Sequence, residues 1–349
     1  MQHTQPTVTA QQILEIAGKF AESKSVMTAV EIGLFTHLHD TAETAREISE
    51  KLSLHERAAV DYLHLLLRLG LLEKNGERFS NSGAADRFLV ETSPDYIGDS
   101  IEYFSSALYP GWGQLAERIR TGPGYGDDSA ADNHARQFYQ NLVNDEVGLS
   151  KFLDGLDAYN SIPPSALAEI LDWNLYKTVA DVGGARGRHI SYIVTRHQHL
   201  TAKIVDLPPL EPFALKLMTS LGLADRVHFH AADFFADELP GADAIILGDV
   251  LHNWSIPVRQ MLAAKAFSAI RAGGALLVYD RMMDDNREDI GNLIASLNLF
   301  IATRGGGSEY TISECRDYMS RAGFSEISAN PVGDTGHCLV IGHKAGYAT

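Results

Sequence analysis

The chain is short of cysteine. Of its 349 residues only Cys315 and Cys338 carry a thiol, and they have neither CxxC spacing nor the framework of a secreted domain. A disulfide scaffold and a thiolate zinc site are excluded, and both thiols read as buried packing groups in a reducing compartment. Positive charge is scarce as well. Lys and Arg number 29 against 45 Asp and Glu, a formal net charge of −16, whereas nucleic acid and anionic membranes call for clustered cations. No apolar run approaches the roughly 18 residues of a membrane span. The opening MQHTQPTVTAQQ has no basic start and no apolar core, so no signal peptide is expected. Internal repeats and low-complexity tracts are also lacking. These absences predict a cytoplasmic protein with room for two domains, without nucleic-acid or membrane partners.

What is present centres on Thr178–Arg188, TVADVGGARGR. A β-branched run ends in Asp181, Gly183, Gly184 and Gly187 follow, and His189–Val194 opens a helical apolar pattern. Such a turn lets a backbone approach a nucleotide-bearing cofactor and aims helix N–H groups at it. An ordinary strand–helix turn looks the same, and NAD, FAD and S-adenosylmethionine (SAM) sites share the device. Later segments narrow the choice. The strand Ala202–Val205 ends in Asp206-Leu207, where an acid can accept from a ribose diol. Val227–Ala231 leads to Asp233-Phe234, a carboxylate for a base edge and a ring to stack on it. Ala244–Leu247 leads to Gly248-Asp249 and then Val250-Leu251-His252-Asn253-Trp254. Four strand ends with polar or glycine groups describe one crevice on a parallel sheet.

The N-terminal third reads differently. Ile13, Ile16, Ala17, Phe20, Met27, Val30, Leu34, Phe35 and Leu38 form one amphipathic pattern over residues 11–38. A short helix over Thr44–Leu52 follows, then a capping-box start at Ser53 for a helix to Leu69, then a hairpin with an Asn75-Gly76 turn. This is a winged-helix outline, open to DNA binding through residues 54–69 or to packing on a second subunit. Arg57 and Arg68 are the only Lys or Arg there, which disfavours DNA, and the apolar stripe favours a homodimer. Residues 94–125 mix aromatics with glycine and proline, either inter-domain packing or a wall for an aromatic substrate. Helices are expected over Ala135–Leu142 and Ile162–Leu171, with polar loops at Asp127–His134 and Arg304–Ser308. Val258–Ile270 reads as a helix with Arg259 and Lys265 turned outward, Ala275–Tyr279 as a strand ending in Asp280, and Ile290–Ala302 as a helix. Thr311–Ala322 is a helix, and Phe324–Ala329 and Cys338–Gly342 are strands.

Together these segments resemble the SAM-dependent small-molecule O-methyltransferases, a family that includes the plant caffeate and flavonoid enzymes and bacterial natural-product enzymes. The resemblance runs from SKSVMTAVEIGLFTHL to the last strands, through DVGGARG, VDLPP, AADFF, VLHNW, RAGGALLVYD and GGGSEYTISE. It implies an α/β fold: a class I Rossmann-like SAM domain at 161–349, a helical linker and pocket segment at 96–160, and a mainly α, winged-helix-like dimerisation domain at 1–95. It implies His252 as general base, with Asp280 and Glu309 orienting it, and SAM bound by Gly183, Gly187, Asp206, Asp233 and Phe234. The strand-end reading adds Gly184, Leu207, Gly248 and Asp249 to the cofactor site. Phe138, Leu142, Asn298 and Phe300 are the expected acceptor contacts, and no metal motif is seen beside His252.

Several positions depart from the family pattern. Ala185 replaces a turn glycine, Asn253 the Asp after the histidine, Gly248-Asp249 a basic or polar residue, Asp280 a glutamate, and Tyr310 the Arg of GxERT. The chemistry stands without the family. Methyl transfer from a sulfonium needs a nucleophile placed in line, and a histidine can take the proton of a phenol as transfer proceeds. Joined to the resemblance to natural-product enzymes, this implies an aromatic or polyketide-like hydroxyl as the acceptor. C-methylation of an activated aromatic carbon or an α-keto acid is the alternative, and a SAM-binding DNA regulator a more distant one.

Overall fold

A computed structural model describes residues 8–121, 128–159, 164–303, 307–332 and 336–346. The Gly122–Tyr125 part of the aromatic segment, Asp127, Ile162-Pro163 and Arg304–Gly306 lie outside the described residues. The chain forms two units, Met1–Pro110 with Asp154–Tyr159, and Gly111–Leu153 with Asn160–Thr349. The segment 96–160, read as one linker, is thus shared between them.

In the first unit the 11–38 pattern is three helices, α1 (Ala10–Gly18), α2 (Phe20–Glu31) and α3 (Leu34–His37). Thr9 and Gln12 cap α1 reciprocally, and Gly33 at φ +68° breaks α2 from α3. After β1 (Glu43–Thr44) comes α4 (Ala45–Lys51), capped reciprocally by Thr44 and Glu47. The capping box expected at Ser53 does not form. Ser53 sits at φ +55° and Leu54 N–H returns to Ser49 O, so this residue closes α4. An N-cap needs extended backbone, and His55 takes that place before α5 (Glu56–Arg68) without a side-chain cap. β2 (Leu72–Asn75) and β3 (Arg78–Asn81) pair with Asn75 opposite Arg78. The turn is therefore Gly76-Glu77, one residue later than expected, with Gly76 at φ +60°. Helices and hairpin complete the winged-helix outline around Leu34, Phe35, Leu63, Leu66 and Phe79.

The second unit includes α6 (Asp128–Val143) and is built on β4 (Thr178–Val182), α7 (Arg188–Arg196), β5 (Thr201–Asp206), α8 (Glu211–Ser220), β6 (Val227–Ala231) and β7 (Ala242–Gly248). It continues through α9 (Ile256–Ala269), β8 (Ile270–Met283), α10 (Ile290–Ala302), β9 (Tyr310–Thr311), α11 (Ile312–Ala322), β10 (Ser325–Pro331) and β11 (His337–His343). The strand order is β10-β11-β8-β7-β4-β5-β6, with β9 beside β8. β4 to β8 run parallel, and β11 and β10 return antiparallel. Alternate residues feed two cores: Ala180, Val182, Ile245, Leu247 and Val278 on one face, Val179, Ile204, Ile246, Leu277 and Tyr279 on the other. Apolar residues on both faces are what a sheet covered on both sides requires. β4 has neighbours reached in opposite directions, β5 and β7, so a crevice opens beyond their carboxyl ends.

Candidate active site

The glycine turn leaves β4 at that crevice. Gly183 and Gly187 lie at φ +72° and +85°, and a Cβ there would come within 2.6 Å of Val250 and 2.3 Å of Ile204. A Cβ on Gly184 would come within 2.7 Å of the Asp181 carboxyl carbon. Ala185 adopts φ +49° in spite of its methyl. Its N–H donates to Asp206 Oδ2 at 2.8 Å, and Leu207 N–H donates to Oδ1 at 2.7 Å. The Asp206 carboxylate at the end of β5 is thus fixed by two backbone donors and keeps further lone pairs for a diol. Burial raises its pKa. Asp181 is 1% exposed, neither of its oxygens has a hydrogen-bond partner, and burial pushes it up to about 6. A buried orphan carboxylate against a glycine turn suits a cationic ligand group, as the ammonium of SAM is.

The third strand end is more committed within the chain. Asp233 Oδ1 accepts from Phe235 N–H at 2.9 Å, and Oδ2 lies 3.5 Å from Arg136 on α6. Phe234 stands edge-on to Trp254 at 5.7 Å. At the end of β7 a Cβ on Gly248 would lie 3.0 Å from the His189 ring, so a side chain there would have to displace that ring. Asp249 follows at φ +55°, 3.9 Å from both His189 and His337, and burial pushes it up to about 6.

His252 sits in a single turn after β7. Its Nδ1 lies 3.4 Å from Asp280 Oδ1 and 3.3 Å from Glu309 Oε1, close enough for charge pairing though not aligned as a hydrogen bond. Asp280 is fully buried on β8, and Glu309 precedes β9, whose ladder with β8 sets Tyr310 opposite Met282. The three residues that sequence reading joined therefore meet. Burial drives the imidazole pKa down, but Asp280, Glu309 and Asp249 together outweigh it and raise it to about 10. Burial pushes Asp280 up to about 7. Asn253 donates to Asp249 O at 3.0 Å, a bond the usual Asp carboxylate could not donate. Among the described residues Asp249, His252 and Asp280 also bring one ligand-type atom each within 4.8 Å of the others.

Of the expected acceptor contacts, Phe138 and Leu142 lie on α6, and Asn298 and Phe300 on α10. Phe138 packs edge-on to Tyr139 and Phe152, and Leu142, one turn along α6, joins the cluster of Leu149, Leu153 and Leu210. On α10 the carbonyl of Asn298 accepts from the Trp112 indole at 2.8 Å. Phe300 is two residues further on, and such pairs point to different sides of a helix.

The outward placement of Arg259 is wrong. It is 3% exposed, and it donates from Nε to Leu251 O and Trp254 O, and from Nη2 to Ser308 O and Oγ. Asp132 was also not foreseen: its carboxylate takes both Ser255 N–H and Ser255 Oγ–H, anchoring α6 to the segment after His252. Neither contact leaves a helical-spacing signal, because the partners lie in loops outside the helix that carries each residue.

This sheet order with its ligand groups on one edge places the chain among Rossmann-like, SAM-dependent methyltransferases. The comparisons with known proteins make the assignment particular. Residues 112–325 match the model of the O-methyltransferase domain, and residues 14–91 that of the O-methyltransferase dimerisation domain. The chain belongs to this O-methyltransferase family. It is 38% identical to the tetracenomycin polyketide synthesis 8-O-methyl transferase of Streptomyces glaucescens, over 95% of this chain and 96% of that one. It is 33% identical to the N,N-dimethyltransferase OxyT of Streptomyces rimosus, over 97% and 98%. The human N-acetylserotonin methyltransferase, solved in complex with SAM, shares the fold with a TM-score of 0.83 at 21% identity, covering 97% of this chain and 99% of that one. None of these three names describes C-methylation. No helix among the described residues is long and apolar enough to cross a membrane.

Proposed function

We propose that the protein transfers the methyl group of SAM to a hydroxyl of an aromatic, polyketide-like acceptor in secondary metabolism, with His252 as general base. The carrying observation is the His252 ring between Asp280 and Glu309 at the carboxyl edge of the sheet. The Streptomyces glaucescens relative, named for polyketide 8-O-methylation, supports the acceptor class. When bound, SAM supplies a methyl group activated by its sulfonium. The glycine turn, Asp206, Leu207, Asp233, Phe234, Gly248 and Asp249 form its site, and Asp181 adds a buried negative charge.

His252 turns Nδ1 to the two carboxylates, which leaves Nε2 for the acceptor hydroxyl. Without ligands the ring holds its proton, because the carboxylates that face it outweigh its burial. Removing that proton prepares the ring as a base. Asp280 then steadies the imidazolium formed as the hydroxyl is deprotonated. Phe138, Leu142, Asn298 and Phe300 stand as acceptor contacts from two helices. The dimerisation domain, over residues 1–95, forms a homodimer through α1 and the start of α2, where Ile13, Leu14, Ile16 and Phe20 are 57–67% exposed.

The test is single-turnover methyl transfer at saturating SAM. His252→Ala should lower the rate by about 10²–10⁴ while S-adenosylhomocysteine affinity stays near wild type. Product analysis on paired hydroxyl and amino acceptors separates O- from N-transfer, which the OxyT name makes the relevant contrast. Equal rates for wild type and His252→Ala, across acceptors of widely different acidity, would remove His252 as the base.

A further inference from the structure

We infer that Arg259 and Tyr310 are positioning residues for His252, joining the turn that carries the base to the strand and loop that carry its two acids. The inference rests on the reading of His252 as base.

A buried guanidinium is costly unless its donors are met. Arg259 meets them in one specific way. Its Nε bridges Leu251 O at 3.0 Å and Trp254 O at 2.8 Å, the carbonyls on either side of the His252-Asn253 pair. Its Nη2 reaches Ser308 O at 2.7 Å and Ser308 Oγ at 3.0 Å, immediately before Glu309. Ser308 N–H in turn donates to His252 O at 2.8 Å. One planar fork therefore sets the distance between base and glutamate, a geometry that a lysine's single ammonium cannot reproduce.

The same guanidinium stands 4.6 Å over the Tyr310 ring. Tyr310 donates its hydroxyl to Asp280 Oδ2 at 2.5 Å, which turns Oδ1 toward His252 Nδ1 at 3.4 Å. Arg259 thus reaches the base along two routes, through the main chain of its turn and through Tyr310 and Asp280. The tyrosine stands where the family pattern carries an arginine, so this second route is a feature of this chain. An apolar side chain in place of Arg259 would fill the core at lower desolvation cost. The charge is explained by the loops it joins.

The test uses the full-length protein with SAM and a series of substituted naphthols of graded acidity, beside ¹⁵N-histidine spectra of the S-adenosylhomocysteine complex. The His252 signal is assigned by its loss in His252→Ala. Tyr310→Phe, which changes one oxygen, should lower kcat about 3–30-fold with KM for SAM within about twofold, most for the least acidic naphthols. Arg259→Ala should lose about 10–100-fold, recover in part with added guanidinium ion, and gain little from Arg259→Lys. Both variants should shift or broaden the His252 ring signals. Wild-type rates and unchanged His252 signals in Tyr310→Phe would overturn the inference, whatever the fate of Arg259→Ala. A uniform rate loss in both variants, with no dependence on naphthol acidity, no guanidinium rescue and an unmoved His252 signal, would also overturn it. Full activity in His252→Ala would instead overturn the base assignment, and the spectra would still report whether the ring is held.

Discussion

The two units of the molecule break the ordinary rule of burial in opposite directions. In the first, α1 exposes Ile13, Leu14 and Ile16, with Phe20 exposed at the start of α2, and none of the residues of α1 is buried. In the second, Asp181, Asp280, Glu309 and Arg259 are buried, and several of their polar atoms lack a partner. Exposed apolar surface lowers solubility, and buried charge lowers stability, so each exception needs its own explanation. On the proposed function, a second copy of the chain would account for the first, and a charged cofactor with proton transfer for the second. The family comparison divides at the same place, with a dimerisation model over 14–91 and a catalytic model over 112–325.

The largest effect should come from crossing the rule back in the first unit. Ile16→Asp with Phe20→Asp removes two apolar side chains from each copy, four in a symmetric dimer. At about 1.5–3 kcal/mol for each side chain the dissociation constant should rise by at least about 10³. Sedimentation should show monomers at micromolar concentration. The thermal midpoint of the separated monomer should not suffer, because neither side chain contributes to its core. A dimer that survives both charges would move the interface elsewhere and undo the contrast.

Within the second unit the cofactor edge comes next. Asp206→Ala removes a carboxylate held by Ala185 and Leu207 N–H groups. Calorimetry should find S-adenosylhomocysteine binding weakened by about 1–3 kcal/mol, the cost of unmade hydrogen bonds in a closed site. Unchanged affinity would take Asp206 out of the site.

A smaller change is expected from Asp280→Asn, read in the pH profile. His252 titrates high because Asp280, Glu309 and Asp249 face it, so the neutral, basic ring is favoured as pH rises and the rate should fall on the acid side. Removing one of the three negative charges lowers the proton affinity of the ring. The acid limb should move down by about 1–2 pH units, with less loss of maximal rate than in His252→Ala. A limb that stays in place would show that another group sets it.

How far the sequence reaches depends on which distances a fold closes. The strand ends at Asp181, Asp206, Asp233 and Gly248 were legible because each follows a local apolar run, and parallel strands bring such ends to one edge. His252, Asp280 and Glu309 were legible only through the family resemblance, since no local spacing joins them. Arg259 was read outward because a charge on an amphipathic helix ordinarily faces water, and the carbonyls that receive it belong to two separate loops. Ser53 shows the converse. Its motif is a sound cap in isolation, but closing α4 claims the residue first. Phe138, Leu142, Asn298 and Phe300 come from two helices far apart in sequence, and no local pattern says which of their faces line one pocket.

The smallest effect tests whether the glycine turn stores strain. Ala185 is held at φ +49°, a conformation that costs an L-residue about 1–2 kcal/mol. Ala185→Gly relieves that, but glycine loses about 0.5–1 kcal/mol more backbone entropy on folding. The methyl group also packs against the cluster of Leu149, Leu153 and Leu210, and removing a fully buried methyl would cost about 0.8 kcal/mol. The three terms nearly cancel, so stability by denaturant unfolding should change by less than about 1 kcal/mol. Cofactor affinity is the sharper reading. The Ala185 N–H that orients Asp206 survives the substitution, so S-adenosylhomocysteine should bind within about twofold of wild type, even in a more flexible turn. A tenfold loss would mean that the methyl group, pressed against its leucine neighbours, holds that N–H on Asp206. The departure from glycine would then be what keeps the ribose carboxylate in place.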